Sequence, residues 1–317
     1  MSSKSNDQGR AYEYITLLTL YSEISKVRNA KIISNSSLLA AKHAWDIMNA
    51  PMKNILKVSA KSFIPEIFEL EPLILEISND IVELSIQKDT RGEDGDVRDI
   101  LIVRSGIEWE IGLSMKHNHF AVKHSRLSPS IDFGAKWYGY KCSESYWSKT
   151  NPIFDILNDY KKSGTLWKNV PNKWNNIYVP VLEAFIEEIN KTYAEHKDLP
   201  RKMTEYLLGQ YDFYKVISVD REKTTRLNAF NLHGSLNQPG RNKKSQISIP
   251  KTLLPTRIVS LAFKPKSKTT VELYMNNGWQ FSFRIHSADK IVENSLKFDI
   301  QSIGMPTTII TINCKWK

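Results

Sequence analysis

Between Gly92 and Lys116 the chain reads GEDGDVRDILIVRSGIEWEIGLSMK, and its charged residues fall where chemistry on a phosphate would need them. Asp94, Asp96 and Asp99 precede an apolar run, Ile100 to Val103, that is too short for a core helix and rich in the branched residues that suit strands. Ser105-Gly106 is the turn of a hairpin. On the return strand, Glu108 to Lys116, side chains alternate, so Glu110, Gly112, Ser114 and Lys116 share one face while Trp109, Ile111, Leu113 and Met115 share the other. A carboxylate at the start of one strand and a lysine at the end of its neighbour can hold a divalent ion and a nucleophilic water side by side. Phosphodiester hydrolysis uses that pairing. Magnesium takes few carboxylates, keeps several waters and acidifies one, and the lysine orients that water or offsets transition-state charge. Asp99 is the metal candidate because it borders the strand directly, whereas Asp94 and Asp96 fit the glycine-containing turn. Spacing alone fits equally well a buried hairpin carrying an exposed ion pair.

The run from Asp99 to Ser114-Met115-Lys116 resembles the PD-(D/E)xK nuclease core, with Asp99 as the first acid and Lys116 as the lysine. The strings GDVRDILIV and WEIGLSMKHNHFAVKHSRLS are similar to type II restriction endonucleases, most closely the HaeIII family, which cuts at GGCC. The likeness extends to GRAYEYI, LLGQYDFYKVI, NNGWQFSFRIHSA and SLKFDI, and so covers most of the chain. It implies an α+β fold with a central mixed β-sheet flanked by helices, and additional helical and β-rich DNA-binding parts. It further implies a Mg²⁺ cofactor, a double-stranded DNA substrate cut to blunt ends, a bacterial cytoplasmic setting and a cognate methyltransferase as genetic partner. The sequence departs from the motif at Ser114, where the second acid usually stands, and a hydroxyl is a poor substitute for a carboxylate on Mg²⁺. Three residues are candidates to replace it, in the order Glu13, Asp132, Glu110. Glu13 matches a glutamate that such families carry on their first helix, Asp132 a relocated acid, and Glu110 lies on the Lys116 face.

Composition fits this reading. The chain has 317 residues, 41% of them hydrophobic and 25% charged, which excludes long disorder. No apolar run approaches the roughly 20 residues that cross a bilayer, and the start, MSSKSNDQGR, lacks a signal-peptide core. Cys142 and Cys314, the only cysteines, cannot build a disulfide framework or a zinc cluster, so a reduced cytoplasmic setting is expected. The net charge is +10, and it is concentrated. From Lys116 to Lys149 there are six Lys or Arg and three His against two acids; from Pro239 to Lys268 there are eight basic residues and no acid. Two such blocks suggest a face that tracks phosphates. The DNA-binding candidates from these blocks are His117, Asn118, His119, Lys123, His124, Ser125, Arg126, Arg241 and Lys243, and Arg284 joins them because it alternates with apolar neighbours on a C-terminal strand. The adjacent His-Asn-His of residues 117–119 is not the dispersed HNH nuclease motif. Nor would His117, His119 and His124 share one face of a helix or strand to bind zinc.

Helical spacing predicts helices over 9–28, 36–49, 51–76, 152–162, 180–196 and from 200 to 208. Strands are expected over 81–87, 213–219, 225–232, 257–263, 269–275 and 279–285, with Asn276-Asn277-Gly278 as a hairpin turn. Gly234 to Lys244 reads as a loop ordered on DNA. The expected division is a nuclease core with N-terminal helices over 1–150 and a helical, then β-rich, DNA-recognition region over 151–317. Two other functions compete. A non-catalytic DNA-binding protein with a degenerate core is supported by Ser114, whereas a methyltransferase would need a glycine-rich cofactor turn or a Pro-Cys nucleophile, and the sequence has neither. A palindromic target suggests a homodimer.

Overall fold

The computed structural model describes residues 4–88, 95–119, 121–287 and 290–317; Gly92 and Asp94 of the acidic turn lie outside the described residues. The chain forms two compact units, one made of 1–120, 209–253 and 307–317, the other of 121–208 and 254–306. The divisions thus fall at places other than residue 150, because the strands after residue 209 pair back into the first sheet.

In the first unit, α1 (Lys4–Ile24) leads into β1 (Ala30–Ile32), α2 (Ser36–Asp46), α3 (Ala50–Leu70), β2 (Val82–Ile86), β3 (Ile100–Arg104) and β4 (Trp109–His117). β7 (Phe213–Val219), β8 (Thr224–Phe230) and β13 (Thr311–Lys315) complete it. The seven strands form a mixed sheet in the order β1-β2-β3-β4-β7-β8-β13. β2, β3 and β4 are antiparallel neighbours, as expected, and β4 pairs with β7 in parallel. The helices start where the chain can cap them. Asn35 accepts from Leu38 N and Asn49 from Met52 N, and Pro51 occupies the first turn of α3, where a missing N–H costs nothing. α3 continues through Pro65 and ends at Leu70. The apolar face of β4 (Ile111, Leu113, Met115) joins Tyr12, Ile15, Phe63, Tyr214 and Val216 in one buried cluster. Residues of period two on a strand meeting residues of period 3.6 on a helix produce that layer.

Charge is buried here only where it is answered. Arg104, at the end of β3, is 1% exposed and donates to Asp80, Ser78 and the carbonyl of Leu73. Arg28 meets the same Asp80 carboxylate, which these partners hold well below its ordinary range. Ser105 to Ile107 form a single 3-10 turn closed by Glu108 at φ 51°, so the expected hairpin is slightly longer than its Ser-Gly signal.

In the second unit, β5 (Ala121–Lys123), β6 (Arg126–Leu127), β9 (Ile258–Phe263), β10 (Thr270–Met275), β11 (Gln280–His286) and β12 (Leu296–Gly304) form a sheet ordered β5-β12-β11-β10-β9, with β6 also on β12. α4 (Phe133–Tyr138), α5 (Glu144–Lys162), α6 (Val179–Glu195) and α7 (Leu199–Leu208) belong to the same unit. Phe133, Trp137, Phe185, Phe283 and Phe298 cluster there, with ring centroids 5.2 Å apart for Phe133–Trp137 and 5.3 Å for Phe185–Phe298. α5 begins at Glu144, capped by Ser143, and runs through Pro152 where the sequence predicted a start. No helix among the described residues is long and apolar enough to cross a membrane.

Glu71, just past α3, is buried and joins three segments: its Oε1 accepts from Tyr214 OH at 2.5 Å and from Asn237 N at 2.6 Å. Burial pushes this carboxyl up to about 7, from an ordinary 4.5. Between those values the unfolded chain releases the proton and the folded chain keeps it, so this group's contribution to stability declines as pH rises from about 4.5 to 7. Glu71→Gln should flatten the pH dependence of denaturant stability across that window; an unchanged slope would mean that Glu71 is ionised in the fold.

Candidate active site

Three adjacent strands bring the candidate residues together. Asp99 N donates to Leu113 O at 2.8 Å, extending the β3–β4 pairing by one residue and setting Asp99 beside Ser114. Asp99 Oδ2 accepts from Met115 N at 2.6 Å and from Lys116 Nζ at 3.2 Å, with Ser114 Oγ at 3.5 Å. Asp99 and Lys116 are each about a quarter exposed, so a ligand can reach them, while Ser114 is buried. The Asp99–Lys116 pair expected from spacing therefore forms.

The acids on either side of this pair are committed elsewhere. Asp96 receives Arg98 through Nε (2.8 Å) and Nη2 (2.9 Å) and Gln87 through Nε2 (2.8 Å). Burial opposes ionisation of Asp96, yet these donors hold its carboxyl below the usual range. Glu110 gives Oε1 to Arg98 Nη1 at 2.8 Å, and the guanidinium lies 4.0 Å from the Tyr211 ring centroid. Arg98 thus crosses the sheet directly above Gly112, where an added Cβ would sit 2.1 Å from its Cδ. Glu13 is half-buried on α1, the helix that packs against β4. Asp132, in the second unit, caps α4 and accepts from Ala135 N and Cys142 N.

Sequence reasoning missed Lys215. It stands directly opposite Ser114 in the parallel β4–β7 register and is 6% exposed. Burial, with Lys116 nearby, pushes its ammonium down to about 7. The signal was available: in FYKVISV a single charge interrupts an otherwise uncharged strand. Asp220 was missed as well. It holds His117 Nε2 at 2.9 Å, and its backbone N donates to Asn118 Oδ1 at 3.0 Å, so both residues are bound into the strand-end loop.

The remaining DNA-binding candidates are dispersed. Lys123 donates to Tyr206 O at 2.9 Å and lies 3.7 Å from that ring's centroid, and burial lowers its ammonium to about 8. Ser125 bonds Tyr206 OH, and His124 faces Phe298 O at 3.3 Å. Arg126 is exposed and donates to Ser295. His119 follows the end of β4 in the first unit. The 234–244 loop is already tied down, with Arg241 N on Glu76 and Lys243 Nζ on Glu69. Arg284 on β11 pairs with Asp299 at 3.0 Å and keeps more than half its side chain exposed.

A profile of the HaeIII restriction endonuclease family matches residues 9–306. The chain is 49% identical over 318 residues, covering 100% of both sequences, to the type II restriction enzyme HaeIII of Haemophilus aegyptius. No solved structure matches it.

Gly112→Ala tests the Arg98 clasp. The new methyl must displace a guanidinium pinned by two carboxylates and a ring, so overpacking should cost about 1–3 kcal/mol in denaturant unfolding. A variant of parental stability would show that Arg98 moves freely.

Proposed function

Because the chain belongs to the HaeIII restriction endonuclease family, and is a type II site-specific deoxyribonuclease, we propose that it hydrolyses both strands of duplex DNA at GGCC, leaving blunt ends, with Mg²⁺ as cofactor. The observation that carries the chemistry is Lys116 Nζ 3.2 Å from Asp99 Oδ2. We read the first unit as a PD-(D/E)xK-type core around that pair.

The donor set fits magnesium. Among the described residues Asp99 Oδ1 accepts no hydrogen bond, and this ion is ordinarily held by one or two carboxylates with waters filling the rest. Asp99 would be its ligand. Glu13 ranks ahead of Asp132 and Glu110 as the second, since it lies on α1, the helix that packs against β4. When bound, the ion would supply charge neutralisation on the phosphate and a more acidic water. Lys116 does the remaining work: anchored by Asp99, its ammonium orients the attacking water and offsets charge on the phosphoryl group. Ser114 Oγ, near the same oxygen, helps fix the Asp99 rotamer.

Distinguishing G·C from C·G requires the major groove, where an arginine bidentate to guanine is the usual reader. Arg284, braced by Asp299 and exposed, suits that role better than Arg241, while Arg126 serves as a further contact. A palindromic target favours a two-fold dimer, and a cognate methyltransferase would protect the host's own sites.

Incubation with a plasmid of known sequence, with and without Mg²⁺, tests the proposal: discrete metal-dependent cuts at GGCC are expected. DNA shifted on a gel but never cut would favour a binding protein, with Ser114 as the explanation. Lys116→Ala should slow single-turnover cleavage about 100-fold or more while GGCC affinity stays nearly constant. Normal turnover in that variant would remove the proposed mechanism. Affinity should also fall steeply between low and moderate salt as phosphate contacts release counterions, and a flat response would count against phosphate-dominated binding.

A further inference from the structure

The second sheet has one face that meets the core and one that does not. On β11 and β12, Phe281, Phe283, Ile285, Phe298 and Ile300 are buried, and with a side-chain period of two Arg284, His286 and Lys297 point to the other face. The strand register then lines up three basic positions. Lys297 lies directly opposite His286 on β11 and opposite Arg126 on β6, so Arg126, Lys297 and His286 form one row across three strands. All three line one small pocket, where Arg126 Nη1 donates to Ser295 Oγ at 2.9 Å. Glu293, the acid lining that pocket, is already paired with Lys161 at 2.7 Å.

Like charges placed directly opposite one another in an antiparallel pair are destabilising. Arg126 facing Lys297 therefore costs stability in the free protein, and an anion bridging the two removes that cost. Arg126 is exposed and Lys297 partly so, and among the described residues Lys297 meets no carboxylate. We propose that Arg126, Lys297 and His286 grip a phosphate of the DNA backbone beside the groove that Arg284 enters. The inference rests on the nuclease reading above, with Arg284 as its base reader.

Spacing favours a backbone contact over a second base contact. Arg284 stands two residues from His286 on the same face of β11, about 7 Å along the strand. The major groove is about 12 Å wide, so a side chain near its middle has the bordering phosphates roughly 6 Å to either side. A guanidinium in the groove thus puts the row over one of its walls. That groove admits a two-stranded β-ribbon, and β11 with β12 is an antiparallel pair of this kind. The chemistry of the row also suits phosphate: an ammonium is a point charge with three donors, a guanidinium is a fork that matches two phosphate oxygens, and an imidazole adds a ring N–H. Such a contact positions the duplex for Arg284 and carries no sequence information itself.

Lys297→Gln and Arg126→Gln, made separately in the full-length protein, test this; either serves should the other unfold. Affinity is measured across a salt series, with Ca²⁺ in place of Mg²⁺, for a GGCC duplex and for a duplex of equal length that lacks the sequence. Each variant should bind both duplexes about tenfold more weakly at low salt, the loss of one charge-assisted contact. The slope of log affinity against log salt should become shallower by about 1. The ratio of the two affinities should stay within about twofold of the parent's, as for a contact that reads no bases. A folded variant with the parent's salt dependence, or a loss confined to the GGCC duplex, overturns the inference. A parent that neither binds the GGCC duplex nor cuts it in Mg²⁺ would sink the nuclease reading instead, so the two failures are distinguishable.

Discussion

Everything at the site depends on β4 having one face that must be buried. Ile111, Leu113 and Met115 enter the core beneath α1, and with a side-chain period of two this forces Ser114 and Lys116 to the other side. Pairing with β3 and β7 then has little freedom, because a slip of one residue would exchange the two faces of a strand buried on the core side. The positions of Asp99 and Lys215 relative to Ser114 are therefore set by hydrophobic burial and not by attraction among the charges themselves. That order of causes suits a site of mixed charge.

The arrangement of acids follows the same logic. Arg98 takes Asp96 and Glu110 into a clasp on one side, and Arg104 with Arg28 takes Asp80 into another at the far end of β3. The first clasp consumes Glu110, which the sequence offered as a potential ligand. What remains beside Lys116 among the described residues is the Asp99 carboxylate, whose Oδ2 meets both the lysine and Met115 N.

Much of this was legible in the sequence because it rests on short-range rules. The alternation from Glu108 to Lys116, the branched run after Asp99 and the Asn-Gly turn at 277–278 each have a local cause, and each appears within a residue or so of its expected place. What could not be read were relations made by the return of distant chain. The parallel pairing of β7 against β4 joins residues about a hundred positions apart, and it alone makes Lys215 a neighbour of Ser114. The occupation of Glu110 by Arg98 was hidden for a related reason: a guanidinium running over Gly112 leaves only a glycine as its trace. The start of α5 at Glu144 was obscured by Pro152, which reads as a helix start but here sits inside one.

Charge density along the sequence proved a weaker guide than charge placement. The block after Lys116 looked like a phosphate-tracking surface, yet Lys123 is turned onto Tyr206 and His117 is held by Asp220. The loop around Arg241 and Lys243 is tied to Glu69 in the last turn of α3 and to Glu76 beyond it. A cation that satisfies an internal carboxylate or carbonyl has already spent part of its electrostatic potential, and only an exposed one contributes fully to a long-range field. Arg284, proposed above as a base reader, is both paired and exposed. Asp299, itself held on Oδ2 by Gln301, fixes one edge of the guanidinium, and the rest is left open to solvent. An arginine oriented before contact loses less side-chain entropy on binding than a mobile one, so its discrimination between bases is retained and not offset by ordering.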